Sequence, residues 1–201
     1  MKKKLLLINC YREEGEKKIA GYLTWLRDGM AEAEQDLDIL ILTDREALPE
    51  NQELSGVIVS GSQKMVGDNE VKTGLLDFLN GNRRPLLGIC YGHQVLARTF
   101  GALVKKDGQK HLGDEEIFLK KVEGLFSGFH PVFIMSESHE EIVVRDSALE
   151  KNFLVLAENS IGLVETIVHR DYPLYGVQFH PENSGEFGVK LLVNFLNMIK
   201  W

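Results

Sequence analysis

Cysteine is scarce in this chain: Cys10 and Cys90 are the two in 201 residues. Two cysteines so far apart build no disulfide framework and no CxxC arrangement, so a reducing compartment is the default expectation. Long apolar runs are missing as well, and no stretch approaches the roughly 18 residues of a membrane span. The amino-terminal Met-Lys-Lys-Lys-Leu-Leu-Leu-Ile-Asn-Cys imitates a secretory or lipoprotein leader, but its apolar run covers only Leu5 to Ile8. A signal needs about seven to fifteen apolar residues, with a small residue where Asn9 stands. The segment reads instead as a first buried strand after solvated lysines, in a cytoplasmic protein. Positive charge is not in excess: 23 basic residues face 30 acidic ones, a net charge of −7. That balance disfavours nucleic acid or an anionic membrane as partner and suits an enzyme acting on small molecules. Repeats, linkers and low-complexity segments are absent, so residues 1–201 are expected to form a single domain. The histidines and cysteines show no metal-ligand spacing, and neither a metal nor another cofactor is expected.

What is present alternates between strand and helix patterns. After the strand at about Lys4 to Asn9, the apolar residues Ile19, Tyr22, Leu23, Leu26, Met30 and Ala33 recur at helical spacing, as on a surface helix covering a sheet. Asp38 to Leu42 and Gly56 to Ser60 are aliphatic runs of strand length. Asp68 or Asn69 can cap a helix carrying Val71, Leu75, Phe78 and Leu79 inward, with Gly81 at its end. Pro85 to Ile89 is another strand, followed by a helical stretch at Val95 to Phe100. This rhythm predicts an α/β fold with a doubly wound, mostly parallel sheet. Shorter β-like runs follow at Ala102–Val104, Glu116–Val122, Val132–Met135, Glu141–Val144, Phe153–Ala157 and Gly162–His169, predicting an antiparallel extension. A strand at Leu174 to Phe179 precedes a closing helix from about Gly185 to Lys200, whose buried stripe is Phe187, Leu191, Phe195 and Met198.

The chemistry concentrates at residues 88–94, Gly-Ile-Cys-Tyr-Gly-His-Gln. A Gly-x-Cys-x-Gly pentapeptide between a strand and a helix is a nucleophile elbow, a turn that strains the backbone of the central residue and projects its side chain alone. Gly88 and Gly92 are required because a Cβ there would strike the neighbouring strand or helix. The helix that follows aims its amino end at Cys90, which favours thiolate over thiol. A cysteine nucleophile in acyl transfer needs a histidine, and the histidine an orienting group. Of six histidines, His180 has the most informative context: Gly-Val-Gln-Phe-His-Pro-Glu, residues 176–182. It ends a buried strand, at the sheet edge where ligands bind in open α/β sheets. Pro181 restrains it to an extended backbone, so that Glu182, two residues on, can reach back to the imidazole.

Together, the two heptapeptides resemble those of class I (triad) glutamine amidotransferases, and the resemblance spans essentially the whole chain. It implies a flavodoxin-like fold with Cys90 as nucleophile, His180 as base and acid, and Glu182 as its orienter. It implies hydrolysis of the side-chain amide of glutamine through a Cys90 γ-glutamyl thioester, with ammonia handed to a separate, ATP-dependent synthase. For the oxyanion, one donor would be the N–H of Tyr91, and the other an N–H from the Ser60-Gly61-Ser62-Gln63 loop, with Gly61 or Ser62 as the candidate and Gly61 preferred. This loop departs from the family's usual Gly-Gly-Pro or Gly-Pro-Gly type. Gln94 resembles the family's glutamine that holds the substrate's α-amino group. Ser138-His139-Glu140-Glu141 resembles the Ser-His-x-Asp segment of the glutaminase part of GMP synthetase, which would put backbone groups near Ser138 and His139 against the substrate's α-carboxylate.

Other readings stand beside this one. A γ-glutamyl amide or peptide hydrolase working without a partner would need the same triad. A catalytically idle regulatory module could keep the fold. Cys10, which lacks a glycine elbow, reads as a core or rim residue, and His93 as packing or capping. His111, His130 and His169 read as surface or structural residues.

Overall fold

The computed structural model describes residues 2–12 and 15–199. A single nine-stranded sheet organises them, in the order β2-β1-β3-β4-β9-β8-β7-β5-β6. Strand β1 (Lys3–Asn9) carries the apolar run Leu5 to Ile8, buried on both faces because strands flank it on both sides and helices cover it. Parallel to it run β2 (Leu37–Thr43) and β3 (Gly56–Val59), then β4 (Leu86–Ile89) and β9 (Leu174–Val177). Beyond β9 every ladder is antiparallel: β8 (Val164–His169), β7 (Phe153–Asn159), β5 (Val104–Leu119) and β6 (Val132–Val143). The fold is α/β as expected, but its sheet is half parallel and half antiparallel rather than mostly parallel.

Two layers of helix cover the sheet. On one face α1 (Gly15–Glu32) and α5 (Gly185–Met198) pack together so closely that a Cβ on Gly29 would lie 2.3 Å from Leu192 Cδ2. Trp25 adds an indole hydrogen bond to the Gly188 carbonyl at 2.9 Å. On the other face lie α2 (Thr73–Gly81) and α3 (Tyr91–Thr99), with Leu75, Leu79, Val95 and Leu96 in the core. A short helix, α4 (Ser147–Asn152), is capped by the Asp146 carboxylate, which accepts from Leu149 N–H.

Three local expectations need correction. Helix α2 starts at Thr73, not at Asp68 or Asn69. Those two sit in a preceding turn, where Asn69 adopts φ 60° and Asp68 pairs with Lys106. The four short runs between Ala102 and Val144 are two long strands, β5 and β6. Their intervening residues, such as Lys105 to Asp114, are mostly polar and mostly exposed, Leu112 included among the exposed, so they carry no hydrophobic alternation. Cross-strand hydrogen bonding makes them strand nonetheless, around a register shift between Lys106 and His111. The stripe of α5 is also rotated: Leu192 and Leu196 are buried beside Leu191 and Phe195, whereas Phe187 is 38% exposed.

The sheet curls. Strand β6, last in the order, comes back against the end of β9, where His180 N–H donates to the Ser136 carbonyl at 2.8 Å. A 3₁₀ turn at Pro181–Asn183 then feeds α5, and a Cβ on Gly188 would sit 1.8 Å from the Pro181 carbonyl oxygen. Backbone cannot yield as a side-chain tip can, so Gly188→Ala is expected to destabilise the protein by about 1–3 kcal/mol or more. The urea unfolding midpoint reads this directly; an unchanged midpoint would show that the helix-to-turn contact is not a tight constraint.

Candidate active site

Cys90 lies between the end of β4 and the first residue of α3, with φ 50° and ψ −102°. This is a left-handed, strained conformation for a residue with a side chain. Its N–H donates to the Val177 carbonyl on β9 at 2.8 Å, and its carbonyl accepts from Gln94 N–H at 3.1 Å. The flanking glycines permit the turn. A Cβ on Gly88 would meet the Gly92 carbonyl carbon and oxygen at 2.6 Å, and one on Gly92 would meet the Val59 carbonyl oxygen at 2.4 Å. The thiol is buried and faces the Ser138 carbonyl at 3.8 Å. The first-turn amides of α3 begin at Tyr91, immediately beside it, and lack helical partners.

His180 caps the 3₁₀ turn after β9. Its Nδ1–H donates to Glu182 Oε1 at 2.7 Å, and both side chains are buried. The reach across two residues is made by the turn rather than by an extended chain. Nε2 is thereby left as the nitrogen without a hydrogen-bond partner among the described residues. Burial disfavours the imidazolium, but the charges of Cys90 and Glu182 outweigh it and raise the His180 pKa well above the ordinary histidine value.

A cavity of about 200 Å³ opens over the thiol, lined by Ser62, Gln63, Cys90, Gln94, Lys110 and Ser138 among others. A wider cleft of about 840 Å³ between α1 and α5 also touches Glu182, but no nucleophile lines it. Gln94 lies at the inner wall of the smaller cavity. Its amide NH₂ donates to the Glu141 carbonyl at 2.9 Å and to Gln178 Oε1 at 3.1 Å, which leaves its own carbonyl oxygen as a free acceptor. The His139 ring is turned inward, where Nδ1–H donates to the Glu141 carbonyl at 2.9 Å and the ring stacks on His111 at 4.7 Å. Backbone rather than ring is what His139 can offer the cavity.

The expectation that Gly61 turns its N–H toward the thiol is not met: that N–H donates to the Tyr22 hydroxyl at 3.0 Å. Gly61 is needed for space instead, since a Cβ would lie 2.7 Å from the Tyr11 hydroxyl and 3.0 Å from His180 Cε1. The amides of Ser62 and Gln63, next in the loop and on the cavity wall, are the ones without a partner among the described residues. This loop is held from many sides. Ser60 Oγ accepts from Cys10 N–H at 2.9 Å, and Ser62 Oγ donates to the Cys10 carbonyl at 2.7 Å. Lys64 makes a buried ion pair with Asp44. Glu141 accepts from Val66 N–H at 2.7 Å and Gly67 N–H at 2.9 Å.

Outside the loop's own Ser60 and Ser62, the anchor marked in the sequence is Glu141, as the counterpart of an aspartate. Asp44, Tyr11 and Tyr22 have no motif around them, and Gln178, although it lies within the heptapeptide that carries His180, has nothing beside it that marks it as the partner of Gln94. The remaining candidates fall outside the site. Burial pushes the Cys10 thiol up, away from thiolate. His93 is completely buried against Gly176, and burial lowers its pKa to about 3, so it stays neutral. His169 packs between Phe100 and Tyr172, and His130 is exposed.

Among the described residues no helix is long and apolar enough to cross a membrane. The family model described as glutamine amidotransferase class-I matches residues 19–199. A GMP synthase [glutamine-hydrolyzing] subunit from Methanococcus aeolicus is 36% identical over 149 residues, covering 74% of this chain and 76% of that one. The corresponding subunit from Methanocaldococcus jannaschii is 32% identical over 154 residues, covering 76% and 78%. In three dimensions the chain is similar to a putative GMP synthase subunit from Thermoplasma acidophilum, with TM-score 0.82 and 23% identity over 99% of this chain and 94% of that one.

Glu141→Ala removes the carboxylate that clamps two loop amides. Hydrogen bonds to a charged acceptor contribute about 1.5–3 kcal/mol, so hydrogen exchange at Val66 and Gly67 should accelerate at least about tenfold. Unchanged exchange rates would mean that the other anchors alone hold the loop.

Proposed function

The chain belongs to the glutamine amidotransferase class-I family, and on that premise we propose that it hydrolyses glutamine to glutamate and ammonia at Cys90 and passes the ammonia to a separate, ATP-dependent synthase. The observation that carries this reading is the strained Cys90 thiol facing a cavity of about 200 Å³, with His180 and Glu182 joined at 2.7 Å beside it. A partner synthase is supported by the relatives, which are named as subunits of a glutamine-hydrolyzing GMP synthase. GMP synthesis is accordingly the acceptor pathway proposed.

In the proposed reaction the Cys90 thiolate attacks the side-chain amide carbon of glutamine, and the carbonyl π pair moves onto oxygen. Two sets of backbone donors suit that oxyanion: Tyr91 N–H at the start of α3, and the partnerless amides of Ser62 and Gln63 in place of Gly61. The His180 imidazolium gives its Nε2 proton to the departing nitrogen, ammonia leaves, and a γ-glutamyl thioester remains on Cys90. Water, deprotonated by the now neutral His180, attacks the thioester and returns the thiol and glutamate. Glu182 holds the imidazole through Nδ1 and stabilises its charged form. The free carbonyl oxygen of Gln94 suits the substrate's ammonium group, and backbone groups near Ser138 and His139 its carboxylate.

Ammonia release from glutamine, assayed with the partner synthase present, tests the reading. Cys90→Ala should abolish it, and His180→Ala should lower kcat by about 10²–10⁴-fold; unimpaired turnover in either variant would overturn the assignment. The pH profile carries a further expectation. His180 acts as an acid only while protonated, and Glu182 raises its pKa. The alkaline limb of kcat should therefore move to lower pH in Glu182→Gln, and an unmoved limb would remove Glu182 from its role.

A further inference from the structure

The curl of the sheet brings together three side chains that the proposed reaction does not use. Glu137 and His139 come from β6 and Glu165 from β8, and all three are buried, Glu165 completely. One ligand atom from each lies within 4.8 Å of the other two, and His139 Nε2 is 3.1 Å from Glu137 Oε2. The tautomer at His139 is fixed by the hydrogen bond from Nδ1–H to the Glu141 carbonyl, so Nε2 presents a lone pair toward carboxylate oxygens. Apart from the contact that the two carboxyl groups make with each other, all four of their oxygens and this nitrogen are buried without a hydrogen-bond partner among the described residues. Besides burial, the strongest influences on the two carboxyls are each other, Glu115 and the histidines at 139 and 180.

Five orphaned acceptor atoms around one point are costly in a buried setting. A single proton between the carboxyls would serve two of those oxygens and leave His139 Nε2 facing a carboxylate. We propose that Glu137, His139 and Glu165 bind a divalent metal ion of the zinc class. A dication neutralises both carboxylates and accepts all three ligands at once. The donor set, one imidazole nitrogen and two carboxylate oxygens, is one that zinc takes, at about 2.0–2.2 Å. Small rotations of the two glutamates bring donors now up to 4.8 Å apart to the spacing such bonds need. The Glu141 carbonyl on Nδ1 is the outer partner that metal-bound histidines characteristically have. Ser138, whose carbonyl faces the Cys90 thiol, lies between two of the ligands, so the ion stiffens that wall of the cavity. Linear spacing could not signal this site, because its third ligand arrives from a different strand.

Zinc binding to the chelator-stripped, full-length Cys90→Ser protein tests the proposal, since that background removes the Cys90 and His180 pair as a competing zinc trap. One zinc per chain is expected by equilibrium dialysis and elemental analysis. Adding Glu165→Gln or Glu137→Gln should weaken it at least about tenfold. Cobalt(II) loaded into the Cys90→Ser protein itself should give visible ligand-field bands with no thiolate charge-transfer band, a result that needs no further variant to fold. Absence of stoichiometric zinc, or undiminished affinity in both glutamine variants, would overturn the proposal and leave a proton shared by the two carboxyls as the occupant.

Discussion

Everything at this site hangs on one backbone conformation, the φ of 50° at Cys90. Residues with a Cβ avoid it, at a cost on the order of 1–3 kcal/mol, and it persists only where the surroundings determine it more firmly than that. Here β4 is held between β3 and β9, the Cys90 N–H is bound to Val177, and α3 is pressed against β3 through the bare Cα of Gly92. Neither end of the turn can relax without breaking a ladder or separating a helix from the sheet. The strain is the means by which the thiol stands clear of its own strand while the first-turn amides of α3 stand next to it.

The second requirement is that the histidine arrive from elsewhere at the right place, and the sheet supplies it by adjacency. Because β9 pairs directly with β4, with Gly88 beside Gly176 and Ile89 beside Val177, the residues that follow each strand emerge side by side. The 3₁₀ turn then folds Glu182 back under His180, and Gly188 of α5 locks that turn from below. The opposite wall is a loop tied to the residues after β1 and after β2 and to β6 by separate polar contacts. Such a wall is rigid before any substrate arrives, as the proposed oxyanion role of its amides requires.

Much of this could be seen in the sequence, for identifiable reasons. The elbow was legible because its glycines answer to steric contacts that only glycine survives, and His180 and Glu182 because their coupling is local. Strands β1, β3 and β4 were legible because burial on both faces leaves continuous apolar runs. The long β5 and β6 pair was not, since Lys105 to Asp114 are mostly polar and owe their strand geometry to partners far along the chain. For the same reason the amide of Gly61 was misdirected: its partner, Tyr22, lies on a helix 39 positions earlier, and nothing near Gly61 announces it. Glu165 and Glu137 carry no mark in the sequence because what distinguishes them is three-dimensional, namely two buried carboxyls facing a histidine. Local constraint is readable from one sequence; constraint made by the curl of a sheet is not.

The central claim is that the strained thiol forms a covalent bond to the γ-carbonyl of glutamine. Rapid acid quenching of the protein during turnover with glutamine and its partner synthase, followed by peptide mass spectrometry, measures this most directly. A γ-glutamyl group on the peptide containing Cys90, gone in Cys90→Ala and accumulating when ammonia release outpaces hydrolysis of the thioester, is the predicted result. Ammonia release from glutamine at an undiminished rate in Cys90→Ala, with no such adduct on Cys90 in the unaltered protein, would contradict it.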